Sequence, residues 1–498
     1  MTAPSLLHEL LDDAATRWPD RTAVRCGDEL LTYRSLWEIS HRLAGWLADA
    51  GVRRGDRVVV ALPAAVLLPA LLYACSRVGG VFVVLREQLP VPVLAHVLDD
   101  AEPALLISDV AHAQGLAGER GIGHRGFEAV RAAALTAPGA AAPPGPLSVD
   151  PVSLIYTSGS TGMPKAVVSL HTQVLFATRA IQSMLRYQPQ DVVYCALPIA
   201  FDYGLYQIFL CTLAGSELHL ADPERVGQGL LLDLCRAAAT VLPAVPTLAA
   251  GLARLLPRST AARPPLRLLT NTGAAMPLQA LRELRAQLPE LRVQLMFGLT
   301  ECKRVAIMNE DEDLRRPGAC GRALPGTEIL VVDDGGAPLA PGEVGELVVR
   351  GPNVMAGYWR RPELTGQRFE RTEGLFPRLR TGDYGWLDDD GYLHFVGRRD
   401  DIYKERGSRV STIEVEAAAN RVSGVEAAAV LPPTGDEPGA TLLVVTTLTP
   451  REVLNGLLNH LEDVKVPRCC VVVPQLPINA NGKVDRRRLA ALAGARRD

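Results

Sequence analysis

Between positions 156 and 165 the chain reads Tyr156-Thr157-Ser158-Gly159-Ser160-Thr161-Gly162-Met163-Pro164-Lys165, hydroxyls and glycines closed by a cation. Gly159 and Gly162 take positive φ without a Cβ penalty, the four hydroxyl residues offer donors, and Lys165 adds a mobile positive charge. That combination suits a backbone wrapped around polyphosphate oxygens. The preceding run Val152–Tyr156 is short, apolar and strand-like, so the loop leaves a strand end, where α/β sheets place ligands. It is not Walker A: position 164, where that motif read from Gly159 needs its second glycine, is Pro164. A solvated Ser/Gly turn has the same local composition, so the other motifs must decide.

Five further stretches carry groups of the right chemistry. Phe201-Asp202 sets a carboxylate at the start of a helical pattern, where it reads equally as a helix N-cap. Thr272-Gly273-Ala274-Ala275 follows a strand with small residues that let a flat ring approach the backbone. Phe297-Gly298-Leu299-Thr300-Glu301 places an aromatic face, a hydroxyl and a carboxylate together after another strand, suited to stacking a base and holding Mg²⁺ beside phosphates. Asp383 stands between glycines in what reads as a turn, suited to two ribose hydroxyls, and Lys483 closes an exposed final loop.

The elements that must position these groups alternate between helix and strand. Leu36, Ile39, Leu43, Trp46 and Leu47 recur at three- and four-residue steps before Gly51, predicting an inward helix face and its C-cap. Arg57–Leu62, Val81–Leu85, Ala104–Ser108, Asp191–Leu197 and Leu291–Met296 read as buried strands of parallel sheets. Ala132–Pro146, rich in Ala, Pro and Gly, reads as a surface linker. From Glu328 to Val349 alternating apolar residues and turn signals predict antiparallel strands, and the charge run Gly397–Asp401 marks a boundary before a small α+β region.

Composition bounds the rest. The 498 residues, 48% hydrophobic and 21% charged, suit two or three globular domains. A formal net charge of −3 gives no basic footprint for nucleic acid. Nine scattered cysteines, mostly embedded in apolar runs, read as small buried hydrophobes without a metal-ligand spacing, and with a start lacking a basic, then apolar, leader they point to a reducing cytoplasmic setting. The longest apolar stretch, Ala61–Leu85, is broken by Arg77 and Gly79-Gly80 and reads as a buried helix and strand, not a membrane span.

Taken in order, Tyr156–Lys165, Gly273–Pro277, Phe297–Glu301, Arg380–Asp383 with Gly397–Asp400, and Pro477–Lys483 resemble the motifs of the adenylate-forming (AMP-binding) superfamily. The likeness extends over nearly the whole chain, and it is to free-standing nonribosomal peptide synthetase adenylation enzymes and acyl-CoA synthetases. It implies a large α/β N-terminal domain, made of two α/β subdomains and a small β-barrel-like region, over 1–399, and a small mobile α+β lid over 400–498. The hinge falls near Asp400. By the same resemblance Thr157, Ser158, Gly159, Ser160, Thr161, Gly162 and Lys165 grip phosphates, while Gly273, Ala274, Ala275 and Phe297 form the adenine slot. Thr300 and Glu301 contact the α-phosphate and Mg²⁺, Asp383 and Arg398 the ribose, and Lys483 is the catalytic lysine. Gly407 lies in the loop that turns inward for thiolation. Phe297 stands where many members have Tyr, keeping stacking but losing a phenolic hydrogen bond, and Ser411 stands where many carry Glu.

The implied substrate site comprises Phe201, Asp202, Tyr206, Thr272, Met296 and Arg304, with Asp202 pairing a substrate ammonium as in amino-acid-activating relatives. The expected activity is ATP-dependent adenylation of a small amino acid, proline among the possibilities, and transfer to the phosphopantetheine thiol of a separate carrier protein. The alternative is an acyl-CoA ligase forming a CoA thioester from a non-amino acid. No Ser-bearing carrier site is recognisable in the chain, so a free-standing ligase is expected. Lys483→Ala is expected to lower acid-dependent ATP–pyrophosphate exchange by about two to three orders of magnitude, the effect of losing one preorganised donor.

Overall fold

The computed structural model describes residues 3–138, 145–157, 163–221, 227, 229–258, 263–273, 275–371, 377–398, 402–405, 408–433, 439–478 and 484–494. The sequence-predicted site residues Ser158, Gly159, Ser160, Thr161, Gly162, Ala274, Asp400, Gly407 and Lys483 lie outside them. Two units form, one from Met1–Ile329 with Val348–Arg380, the other from Leu330–Leu347 with Thr381–Asp498.

Two sheets build the first unit. One has nine strands, in the order Arg322–Ala323, Ala306–Ile307, Arg292–Phe297, Leu268–Asn271, Val241–Ala244, Val192–Cys195, Glu217–Leu220, Thr22–Cys26 and Glu29–Thr32. The other has seven: Gly357–Tyr358, Lys165–Leu170, Pro151–Thr157, Val81–Val84, Arg57–Ala61, Leu105–Ser108 and Gly123–Arg125. Their central strands run parallel, and the antiparallel pairings lie toward the edges.

Period-two alternation along each strand explains the layering. Val58 and Val60 of one sheet, with Val193 and Val241 of the other, join a single core that also takes in the helices Tyr33–Asp49, Leu67–Arg77, His171–Leu185 and Asp202–Ala214. Their neighbours Val59 and Ala61 turn to the opposite face, against helix Val91–Ala101. Leu242 and Leu269 likewise meet the helices Pro246–Leu255 and Leu278–Gln287. Helices therefore cover both faces of both sheets. Tyr33 locks the middle layer, its hydroxyl lying 2.8 Å from the Cys211 carbonyl and 2.7 Å from that of Ser216.

In the second unit, Asp383–Leu387 pairs antiparallel with Leu393–Arg398. A three-stranded sheet of Val425–Leu431, Thr441–Thr446 and Cys469–Val472 packs with the helices Thr412–Ala419 and Pro450–Leu457 around Val415, Leu442 and Val444. Thr449 and Glu452 cap the second helix reciprocally. The large α/β part and the smaller α+β part thus match the expected fold class.

Three local readings are corrected. Helix Phe127–Thr136 occupies the start of the stretch read as a linker, because alanine favours helix whenever one face can be buried, as Val130, Ala133 and Ala134 are. Asp383 is inside a strand, Arg378–Leu387, not in a turn. Cysteine burial is less general than the apolar flanks suggested: Cys75, Cys195, Cys211 and Cys302 are buried, whereas the other five are half-exposed. Among the described residues, no helix is long and apolar enough to cross a membrane.

Gly204, two residues into helix Asp202–Ala214, packs so closely on the corner before it that a Cβ would overlap the Pro198 carbonyl. Gly204→Ala is expected to destabilise the chain by about 1–3 kcal/mol, the range of core overpacking. Gly251→Ala, where a Cβ meets open space in helix Pro246–Leu255, is expected to stabilise it by about 0.4–1 kcal/mol. Thermal unfolding of both variants checks the pair.

Candidate active site

Three adjacent strands of the seven-stranded sheet position the first group. Thr157 ends one strand and pairs with Lys165, which begins the next, so the 158–164 connection leaves the sheet at a fixed point. Val167, two residues on and on the same face as Lys165, lies directly opposite Tyr358 of the edge strand. Tyr358 is consequently a diagonal neighbour of Lys165. The Lys165 Nζ rests 3.9 Å from the centre of the Tyr358 ring.

The second group comes from the loop after strand Arg292–Phe297. That loop doubles back tightly: Lys303 N donates to Leu299 O at 2.7 Å and Val305 N to Phe297 O at 2.8 Å. Gly298 is required, since a Cβ there would overlap the Lys303 carbonyl. Lys303 itself adopts a left-handed φ of 65°, a strained backbone for a lysine. Buried Asn353 braces the loop, its amide donating to the Cys302 carbonyl at 3.1 Å and the Arg304 carbonyl at 3.0 Å. Met355 N donates to Glu301 O at 2.9 Å.

From this loop the buried Glu301 accepts a 2.6 Å hydrogen bond from the Tyr358 hydroxyl. Glu301 and Lys165, far apart in sequence, therefore meet at opposite parts of one phenol. Thr300 immediately precedes Glu301 and Phe297 ends the strand before the loop, both half-buried. Gly273 and Ala275 lie exposed beyond strand Leu268–Asn271.

Arg304, three residues past Glu301, points elsewhere. Its Nη1 lies 3.4 Å from Asp202 Oδ2, with Arg304 wholly buried and Asp202 largely so. Asp202 is not the N-cap: that position is Phe201, which makes no side-chain capping bond. The acid's carboxylate is thus available to a charged partner. The Arg304 guanidinium also covers the Tyr203 ring at 4.8 Å, and Arg86 covers Phe201 at 4.5 Å.

Lys303 is 0% exposed, and its Nζ has no hydrogen-bond partner among the described residues. It sits 5.7 Å from the centre of the Tyr206 ring, whose buried hydroxyl is likewise without a partner among them, as is Thr272 Oγ1. Burial lowers the Lys303 pKa to about 8, with Asp202 and Glu301 pulling it back up. Burial also pushes the Tyr206 phenol well above its ordinary range. Met296, also buried, belongs to the core that holds Tyr203 and Tyr206.

Asp383 and Arg398 belong to the second unit. They face each other across paired strands, Arg398 Nε 3.2 Å from Asp383 Oδ1, with Asp383 buried and Arg398 exposed. Thr381 Oγ1 accepts from Asp383 N at 3.0 Å and donates to Leu347 O at 2.6 Å, fixing that strand.

Sequence reasoning brought Glu301 to Lys165 and Arg304 to Asp202, but passed over Lys303, Asn353 and Tyr358. The apolar run Val305–Met308 directly after Lys303-Arg304 was the one available signal for Lys303. Nothing local distinguishes Tyr358 from an ordinary edge-strand aromatic.

Residues 11–359 match the AMP-binding enzyme family. Among curated proteins, the chain is 30% identical to syringomycin synthase SyrB1 of Pseudomonas syringae pv. syringae, over 99% of this chain and 83% of that protein. It is 33% identical to a feruloyl-CoA synthase of Amycolatopsis sp, over 94% of each. To an L-proline--[L-prolyl-carrier protein] ligase of Pseudomonas fluorescens it is 30% identical, over 97% of this chain and 99% of that one. It spans only 21% and 36% of two longer relatives. Among solved structures, VinN in complex with L-aspartate shares 38% identity, with a TM-score of 0.73 over 79% of this chain and 98% of that one. ATP-bound MatB from Rhodopseudomonas palustris shares 30%, with a TM-score of 0.87 over 97% and 98%. The match over residues 11–359, the relatives covered nearly end to end and a scaffold shared with an ATP-bound neighbour place the chain in the AMP-binding enzyme family as an AMP-forming acid–thiol ligase that adenylates a carboxylic acid with ATP.

Proposed function

We propose that the acid is an amino acid bearing a second carboxylate, and that its acyl group passes to the phosphopantetheine thiol of a separate carrier protein. The buried Lys303 ammonium carries this reading. A charge withdrawn from water without a hydrogen-bond partner is costly, and a ligand anion supplies the missing compensation. With Glu301 engaged by the Tyr358 hydroxyl and, in this reading, by Mg²⁺, Lys303 and Arg304 give two cations against the carboxylate of Asp202, a net +1 on the acid side. A zwitterionic dicarboxylate, net −1, complements it: ammonium to Asp202, one carboxylate to Lys303 and Arg304, the other left to react. The L-aspartate bound by VinN has that charge pattern. Phe201, Tyr206, Thr272 and Met296 would line the remainder.

The nucleotide would lie along the other half of the same loop. Thr157, Lys165 and the 158–162 residues would hold phosphates, Gly273, Ala274, Ala275 and Phe297 the adenine, and Asp383 with Arg398 the ribose. Mg²⁺ is typically held by one or two carboxylates together with substrate phosphates. Glu301, oriented by the Tyr358 hydroxyl, fits that donor set, with Thr300 beside it. Bound there, the metal would neutralise charge that develops as the substrate carboxylate displaces pyrophosphate. Lys483 would supply a further cation, from a lid hinged near Asp400, and Gly407 would admit the pantetheine arm.

Relatives divide between carrier-protein and CoA acceptors, so product analysis with each thiol tests the acceptor. ATP–pyrophosphate exchange over L-aspartate, L-asparagine, L-alanine and succinate tests the acid. L-Aspartate is expected to support exchange best, Lys303→Met to lose its advantage over L-alanine by about tenfold or more, and Asp202→Asn to lose its advantage over succinate. Equal exchange with L-alanine and L-aspartate in the unmodified chain would refute the second-carboxylate reading.

Lys303 is charged only below its depressed pKa of about 8, so the KM for L-aspartate is expected to rise above that pH and to stay level between pH 6.5 and 7.5. The same rise should be absent for any monocarboxylic amino acid that supports exchange. Steady-state kinetics across pH 6.5–9.5 checks both.

A further inference from the structure

Lys165 and Glu301 are opposite charges brought close together, and left alone such groups tend to collapse into an ion pair. The Tyr358 phenol stands between them. Its face carries the Lys165 ammonium at 3.9 Å and its hydroxyl donates to Glu301 Oε1 at 2.6 Å. Donation to a carboxylate makes the ring more electron-rich, which strengthens its hold on the cation.

The spacer is itself immobilised. Tyr358 pairs with Val167 across the strand edge, and its N donates to Thr365 Oγ1 at 3.0 Å. Its ring packs edge-on against Phe369 at 5.4 Å. Just beyond, Trp359 Nε1 donates to the Asp100 carbonyl at 3.0 Å and Arg361 pairs with the Asp100 carboxylate at 2.7 Å. The other oxygen of that carboxylate accepts from Tyr156 at 2.8 Å, immediately before Thr157. The segment is therefore tied back to the strand that launches the 158–164 connection.

We propose that Tyr358 is a positioning residue whose phenol sets the separation of Lys165 from Glu301, so that neither group quenches the other before phosphate and Mg²⁺ arrive. This rests on the roles given above to Lys165 and Glu301. The test uses the full chain carrying Tyr358→Phe, Tyr358→Leu or Glu301→Gln. Two quantities are measured: the Mg²⁺ concentration for half-maximal ATP–pyrophosphate exchange, and calorimetric affinity for ATP in the presence of EDTA. Tyr358→Phe keeps the ring face and loses the hydroxyl. It is expected to raise the Mg²⁺ requirement by about tenfold, as loss of a hydrogen bond to a charged group does, with metal-free ATP affinity changed by less than about twofold. Tyr358→Leu, which removes both contacts, is expected to weaken the two together. An unchanged Mg²⁺ requirement in Tyr358→Phe, beside a raised one in Glu301→Gln, overturns the spacer. No change in Glu301→Gln overturns the role of Glu301 instead. Because the Phe variant leaves no cavity, retained metal-free ATP binding also shows that it has folded.

Discussion

Charge withdrawn from water is the constraint around which the site is built. Within the 298–304 segment, Glu301, Lys303 and Arg304 are all buried, and each needs a counter-group whose position the backbone must guarantee. Glu301 finds a phenol and Arg304 finds Asp202. Lys303 is held by a strained backbone, and burial lowers its pKa to about 8 against the pull of Asp202 and Glu301. The close approach at Gly298 and the double brace from Asn353 are the structural means by which so polar a loop stays folded.

The loop also explains how two ligands come to be handled by one element. Glu301 reaches one way, to Tyr358 and through it to Lys165, while Arg304 reaches the other, to Asp202 at the start of a core helix. In the proposed function these directions correspond to the nucleotide and the acid. Reacting partners presented by neighbouring positions of one rigid loop are held in register without help from distant parts of the chain, and such prepaid orientation is a large share of what a ligase must supply.

Membership of the AMP-binding family settles the reaction type, since its curated relatives include both a carrier-protein ligase and a CoA synthase. Differences among such enzymes must lie in the acid-facing side chains, because the scaffold is shared. In the proposed function those are Asp202 on the helix and Lys303-Arg304 on the loop. Exchange of one buried charge alters discrimination more sharply than reshaping an apolar wall, because the rejected substrate leaves an ion without a partner.

The sequence by itself determined the alternation of helix and strand, the parallel sheets, the reaction class and most of the residues brought together, because periodicity and motif spacing are local properties. Lys165 with Glu301, and Asp202 with Arg304, were legible as candidates in that way. Only the tertiary structure decided that Asp202 faces a guanidinium instead of capping its helix, that Asp383 lies in a strand, and that Ala132–Thr136 is helical. It alone showed Lys303 fully buried and Tyr358 lying between Lys165 and Glu301. The physical reason is that burial and strand register are set by contacts between segments remote in the chain. A lysine beside an arginine and a tyrosine on an edge strand gain their meaning from what is folded against them.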